Sequence, residues 1–127
     1  LNDYGYVAPR IAAGVFETLY ANRDTPILDL GCGTGLVGVE LASCRYRHID
    51  GLDISRNMLG EARAKAVYRD LLEGDMTGPL DLGGRRYGAA VGVPYSSRKR
   101  LFSRCPWRSQ CFSGCMFSFP TSGFALT

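Results

Sequence analysis

The sequence predicts an α/β fold in which helices cover a parallel sheet, and two observations carry this prediction. The apolar segment Ile27–Leu30 runs into a glycine-rich turn, and a helical pattern over about 36–43 follows. The segment 48–53 is a second apolar strand that ends in a carboxylate, Asp53. A strand, a helix and a further strand in this order are typical of a βαβ unit.

Periodicity and helix-start signals predict the remaining elements. Residues 8–21 form an amphipathic helix with Pro9 in its first turn. The apolar positions of this helix are Ile11, Val15, Phe16 and Leu19. Ser55 predicts the N-cap of a helix that continues to about residue 65. The segments 68–73 and 87–93 are the third and fourth strand candidates, so we expect about four parallel strands.

Charge is distributed unevenly along the 127 residues. The net charge is +3, yet all 12 acidic residues lie within 1–81, and residues 82–127 hold seven basic residues and no acid. We therefore expect a partial domain over 1–93 and an irregular, basic tail rich in Ser, Cys and Phe over 94–127. The five cysteines and the single histidine lack the spacing of a zinc site, so no metal is expected.

The apolar stretches are all shorter than the roughly 20 residues that cross a bilayer, and the first ten residues lack a signal-peptide pattern. We therefore expect no membrane association and a location in the cytoplasm, with the nucleus as the alternative. The chain begins with Leu1 rather than Met. We expect from this that the natural N-terminus precedes it.

The glycine-rich turn fits two cofactor motifs. Residues 33–38 match the G-x-G-x-x-G pattern of nicotinamide and flavin binders, whereas residues 29–35 match D/E-x-G-x-G-x-G, the pattern of S-adenosylmethionine-dependent methyltransferases. The predicted strand ends at Leu30, so the dinucleotide pattern would begin two residues late. Asp29 lies in an apolar strand, where an unpaired carboxylate is costly. A cofactor with a cationic amino group gives it a role, so the methyl donor is favoured over a nicotinamide oxidoreductase fragment or a purely structural turn.

Three segments of the chain carry a family resemblance: 29–35 (D-L-G-C-G-T-G), 51–59 (G-L-D-I-S-R-N-M-L) and 73–76 (E-G-D-M), preceded by a G-Y-x-x-P segment at 5–9. They resemble the successive motifs of class I methyltransferases, in particular the methyltransferase-like proteins named after the Williams–Beuren syndrome region. The likeness covers about residues 3–93. It implies a Rossmann-like three-layer sandwich, S-adenosylmethionine as the cofactor, and an unidentified methyl acceptor as the partner.

The resemblance also implies roles for individual residues. The expected cofactor-binding residues are Asp29, Gly31, Cys32, Gly33, Gly35, Asp53, Ile54, Met58, Asp75, Met76 and Val91. The glycine motif would pass beneath the methionine part of the cofactor, and Asp53 would bind both ribose hydroxyls. Ile54 and Met58 would contact the adenine, whose amino group would donate to Asp75. Val91 would lie near the sulfonium. No catalytic residue is implied, because a general base is optional in this chemistry.

The chain also departs from the pattern of the family. About four of the expected seven strands are present, Gly88 stands where the family has an acid, and nothing after residue 93 resembles the later helices and strands. We therefore expect a truncated or variant form, such as a splice or frame-shift product, with impaired activity. A non-enzymatic remnant is the alternative. Nucleic acid is disfavoured as a partner of the basic tail.

Overall fold

The computed structural model of the chain describes the backbone of residues 4–78 and 81–92, with side chains from residue 8 onwards. It also describes three two-residue strands further along the chain. The remaining residues of the predicted tail 94–127 lie outside the described residues, so the division at residue 93 stays a prediction. None of the helices in the described part is long and apolar enough to span a membrane.

Three helices alternate with the first strands of the chain. The helices are α1 (Tyr4–Leu19), α2 (Leu36–Ser43) and α3 (Arg56–Ala64). The strands are β1 (Ile27–Leu30), β2 (Ile49–Asp53), β3 (Asp70–Glu73), β4 (Arg86–Tyr87), β5 (Ala89–Val91), β6 (Cys111–Phe112), β7 (Met116–Phe117) and β8 (Phe124–Ala125).

Four of these strands form a parallel sheet in the order β3-β2-β1-β5. The central strand β1 is buried at all four residues, and its Ile27 lies between Ile49 of β2 and Ala89 of β5. The predicted Rossmann-like fold with four parallel strands is therefore confirmed. Because the strands are parallel, the carboxyl ends of β1, β2 and β3 lie at one edge of the sheet, where ligands of open α/β sheets bind.

The predicted fourth strand, 87–93, is divided in the structure. Tyr87 belongs to β4, which pairs antiparallel with β8, and Ala89–Val91 joins the parallel sheet. The amides of Gly88 and Ala89 both donate to the Pro26 carbonyl, at 2.9 and 3.3 Å. The chain therefore bends at Gly88. The prediction of one continuous strand was wrong because the apolar pattern runs unbroken across this bend.

Helix α1 begins at Tyr4, earlier than predicted, and Pro9 lies inside the helix rather than in its first turn. Its buried face also differs from the expected one, since Ile11 is 59% and Leu19 is 43% exposed. The residues that it buries are Pro9, Ala12, Ala13, Phe16 and, just after the helix, Tyr20. The two small alanines allow α1 to approach α2 closely. The spacing of the larger apolar side chains, from which the buried face was predicted, does not reveal this approach.

Helices α1 and α2 cover one face of the sheet. The ring of Phe16 stacks on Tyr20, with 4.5 Å between centroids, and meets Tyr46 edge-on at 5.0 Å. The sheet residues in this core are Ile27, Ile49, Ala89 and Val91. Burial of each large apolar side chain contributes about 1.5–3 kcal/mol to folding, so this cluster supplies much of the stability of the domain.

The opposite face of the sheet holds a buried carboxylate, Asp50. Its oxygens accept hydrogen bonds from Arg69 Nε at 3.0 Å, from Arg69 Nη2 at 3.1 Å and from the Tyr87 hydroxyl at 2.6 Å. Tyr87 and Leu82, each 1% exposed, come from the segment between β3 and β5. Because a buried charge needs such partners, this network fastens that segment to the sheet.

Ser55 caps helix α3, as predicted, by accepting a hydrogen bond from the Met58 amide at 3.3 Å. We expect Ser55→Ala to lower the free energy of unfolding by about 1 kcal/mol in urea denaturation, since one amide of the first turn loses its acceptor. Ser43→Ala is the matched control, because the exposed Ser43 hydroxyl donates to a carbonyl of its own helix. Equal losses in the two variants would contradict the capping role.

Candidate functional site

The turn between β1 and α2 has a backbone that favours glycine. Gly31, Gly33 and Gly35 have φ angles of 67°, 57° and 97°, in a region that L side chains rarely adopt. Gly35 is the N-cap residue of α2 and makes no side-chain capping bond. The turn therefore presents backbone rather than side chains at the start of the helix.

Asp53 lies at the end of β2 and is 1% exposed. One carboxylate oxygen accepts a hydrogen bond from the Gly33 amide and the other from the Ser55 amide, both at 2.8 Å. The Cys32 amide donates to the Leu52 carbonyl at 3.0 Å and ties the same turn to β2. These bonds fix the carboxylate and the glycine turn relative to each other.

A small cleft lies beside Asp53, where β1, β2 and β3 end. The residues that line it are Gly31, Leu52, Asp53, Ile54, Gly74, Asp75 and Met76. Five of the residues predicted from the sequence therefore meet in one place, although they come from three separate segments of the chain. They are Gly31, Asp53, Ile54, Asp75 and Met76.

The side chains around the cleft differ in character. Ile54 is 49% exposed, whereas Met76 is 4% exposed. Asp75 is exposed, and its Oδ1 accepts hydrogen bonds from the amide and the hydroxyl of Thr77, at 2.9 and 2.6 Å. The cleft thus combines an apolar surface with two carboxylates whose positions are fixed by the backbone.

Other predicted residues lie outside the lining of the cleft. Met58 is half-buried in the first turn of α3. Val91 is fully buried in the core beneath α1 and α2, and Cys32 packs with Leu59 and Ala62 of α3. Val91 and Cys32 therefore contribute to packing, and the roles of all three residues toward a cofactor stay predictions.

Asp29 lies beneath the glycine turn and is 1% exposed. Its Oδ2 accepts a hydrogen bond from the Tyr68 hydroxyl at 2.7 Å. Burial raises the pKa of Asp29 to about 7; the hydrogen bond from Tyr68 opposes this rise, and the charge of Asp53 adds to it. The carboxyl group of Asp29 is therefore partly protonated near neutral pH.

The sequence pattern does not single out Tyr68, which lies at the start of the predicted third strand, whereas β3 begins at Asp70. Two signals could have found it. A buried acid such as Asp29 requires a donor, and glycines at 38 and 51 leave space for a ring. A Cβ at Gly38 would lie 2.4 Å from Tyr68 Cζ, and a Cβ at Gly51 would lie 3.0 Å from Tyr68 Cε1.

The parallel sheet, the glycine turn after β1 and the carboxylate at the end of β2 define a Rossmann-like domain for a nucleoside-bearing cofactor. A family profile described as a methyltransferase domain matches residues 27–99, more than half of the chain. The chain therefore belongs to the methyltransferase domain family, among the class I S-adenosylmethionine-dependent methyltransferases. The resemblance found in the sequence is confirmed at this level.

Two curated relatives illustrate the family. Methyltransferase-like protein 27 of Homo sapiens is 37% identical over 68 residues, which cover 52% of this chain and 28% of that protein. The 18S rRNA (guanine-N(7))-methyltransferase RID2 of Arabidopsis thaliana is 42% identical over 67 residues, which cover 53% of this chain and 23% of that protein. The matched part thus spans about a quarter of the length of these relatives.

Solved structures share the fold. The CcbJ methyltransferase from Streptomyces caelestis is 26% identical with a TM-score of 0.59, covering 86% of this chain and 50% of that chain. The [4+2]-cyclase SpnF is 19% identical with a TM-score of 0.56, covering 75% of this chain and 39% of that chain. Because the same fold carries a different named activity there, the reaction has to be argued from the site.

Proposed function

We propose that the chain binds S-adenosylmethionine in the cleft beside Asp53 and transfers its methyl group to an acceptor. Family membership supports the reaction class, and Asp53 supports the position. This buried carboxylate borders the cleft while the amides of Gly33 and Ser55 hold it in place. A fixed acid next to a glycine turn is the arrangement that recognises ribose hydroxyls in Rossmann-like sites.

The residues at the cleft fit the parts of this cofactor. A carboxylate has about four acceptor positions, so Asp53 can accept from ribose hydroxyls as well as from backbone amides. The half-exposed Ile54 offers an apolar surface to the adenine ring, and Asp75 offers an acceptor for its amino group. Gly31, which has no side chain, allows the methionine part to approach the backbone.

Bound S-adenosylmethionine supplies a methyl group that its sulfonium has already activated. The work left to the chain is to bind and orient the cofactor, so a general base is not required. In this arrangement the ionised form of Asp29 places negative charge beneath the turn and favours the cationic amino group of the cofactor. The expectation of impaired turnover stays a prediction, which a methyl-transfer assay tests.

The register of the turn favours this cofactor over a nicotinamide dinucleotide. Strand β1 ends at Leu30, so Gly31 is the first residue of the turn, as the methyltransferase motif requires. In the dinucleotide pattern the first glycine would be Gly33. The acceptor stays open, and nucleic acid remains among the acceptors to test because RID2 is named for rRNA.

We expect Asp53→Ala to raise the Kd for S-adenosylhomocysteine about 100-fold. The reason is that the two charge-assisted hydrogen bonds to the ribose hydroxyls are lost, which costs about 3 kcal/mol. Calorimetric titration of the purified chain measures this change. Asp81→Ala is the matched control, because Asp81 is an exposed acid whose carboxylate accepts from the Gly83 amide. Its Kd should equal that of the wild type.

Asp53→Asn is a milder substitution, because it keeps the size of the side chain and one acceptor oxygen, although it can no longer accept from both the Gly33 and the Ser55 amides. We expect a Kd about tenfold above that of the wild type, with an unchanged circular dichroism spectrum. Saturable binding with the same Kd in the wild type and in Asp53→Ala would contradict the proposed position of the cofactor.

A further inference from the structure

Three glycines from neighbouring elements surround the ring of Tyr68 and form a slot. They are Gly35 at the start of α2, Gly38 within α2 and Gly51 in β2. A Cβ atom at these positions would lie 3.0 Å from Cε2, 2.4 Å from Cζ and 3.0 Å from Cε1 of the ring, respectively. Contacts this short leave no room for a side chain at Gly38 while the ring is in place.

The hydroxyl of Tyr68 projects from this slot to Asp29, at 2.7 Å. Burial, together with the adjacent Asp29, raises the pKa of Tyr68, so the hydroxyl stays protonated and donates. The other titratable groups acting on the pair, within the part of the chain that the structure describes, are Asp53 of β2 and Cys32 of the turn. Lys65 touches the turn from outside, donating to a backbone carbonyl at 2.9 Å.

We propose that Tyr68 is a positioning residue for cofactor binding: its ring fixes the glycine turn from beneath, and its hydroxyl holds the Asp29 carboxylate. The inference rests on the proposed function, because it makes cofactor affinity the quantity that Tyr68 controls. Gly35 borders the slot, and Gly33, two residues earlier, donates to Asp53. Movement of the ring therefore displaces the turn and the ribose-binding carboxylate together.

Tyr68→Phe keeps the ring and removes the hydroxyl. We expect the Kd for S-adenosylhomocysteine to rise about tenfold at pH 7, because Asp29 loses the donor that holds it in place and favours its ionised form. The titration midpoint of Asp29, followed by carboxyl-carbon NMR, should move to higher pH, because this hydrogen bond favours the ionised form. The affinity for S-adenosylhomocysteine should therefore reach its constant, high-pH value at a higher pH than in the wild type.

Tyr87→Phe is the matched control. It also removes a tyrosine hydroxyl that donates to a buried carboxylate, Asp50, at 2.6 Å, but on the opposite face of the sheet. It should lower stability to a similar extent as Tyr68→Phe while leaving both the Kd and the Asp29 midpoint unchanged. A merely structural tyrosine at position 68 would leave the Kd unchanged, as this control does.

Two outcomes overturn the inference alone, provided that the wild-type chain binds S-adenosylhomocysteine. They are an unchanged Kd in Tyr68→Phe and an equal rise in Kd in Tyr87→Phe. A folded wild-type chain that binds no S-adenosylhomocysteine overturns the proposed function, and this cofactor role of Tyr68 with it. The behaviour of the wild type thus distinguishes the two failures.

Discussion

Relative to an Asp29→Asn variant, the wild-type chain should lose about 4 kcal/mol of folding stability between pH 4 and pH 8. Burial raises the pKa of Asp29 from 3.8 to about 7. Over the interval between these two values the native state keeps a proton that the unfolded state has released. Stability therefore falls as the pH rises through this interval, and it levels off above about pH 7.

Urea denaturation of both chains at several pH values measures this effect. The contributions of the other acids cancel in the difference between the two free energies of unfolding. Asp81→Asn is the control, because Asp81 is exposed, and its difference from the wild type should stay nearly constant with pH. A constant difference between the wild type and Asp29→Asn would mean that the buried carboxyl ionises in the native state as it does in the unfolded chain.

Gly38→Ala should destabilise the chain by about 3 kcal/mol, even though alanine favours a helix by about 1 kcal/mol over glycine. The added Cβ would lie 2.4 Å from both Cζ and the hydroxyl oxygen of Tyr68. The ring then has to leave its slot, which breaks the hydrogen bond to Asp29 and leaves a buried carboxyl group without that donor. Urea denaturation at pH 7 measures the loss.

Gly60→Ala is the matched substitution, because Gly60 also lies within a helix and its added Cβ would meet no atom within 4 Å. In this variant only the helix preference of alanine acts, and we expect the free energy of unfolding to rise by up to about 1 kcal/mol. The two alanines should thus change stability in opposite directions. A Gly38→Ala chain as stable as the Gly60→Ala chain would contradict a close-packed slot around Tyr68.

The part of the fold that carries the site could be predicted because its signals are local. The apolar strand Ile27–Leu30, the glycines after it and the acid that ends β2 each have a distinct sequence signature. The helix cap at Ser55 follows the same logic, since it depends on residues within one turn. The parallel pairing of four strands then brings the predicted glycines, Asp53 and Asp75 to one edge of the sheet.

Features that depend on long-range contacts could not be predicted in the same way. The buried face of α1 is set by the close approach of α2, which selects Ala12 and Ala13 over the larger Ile11 and Leu19. The bend at Gly88 depends on the Pro26 carbonyl, which is distant in the sequence. The pairing of Tyr68 with Asp29 likewise joins residues 39 positions apart.

Binding of S-adenosylmethionine in the cleft beside Asp53 can be tested by an NMR titration of the ¹⁵N-labelled chain with S-adenosylhomocysteine. Saturable shifts should be largest for the amides of Gly31, Gly33, Ile54 and Asp75, with a parallel titration by NADH leaving them in place. Two results would contradict binding in this cleft. One is a folded chain in which saturating S-adenosylhomocysteine shifts none of these amide signals, and the other is that only NADH shifts them.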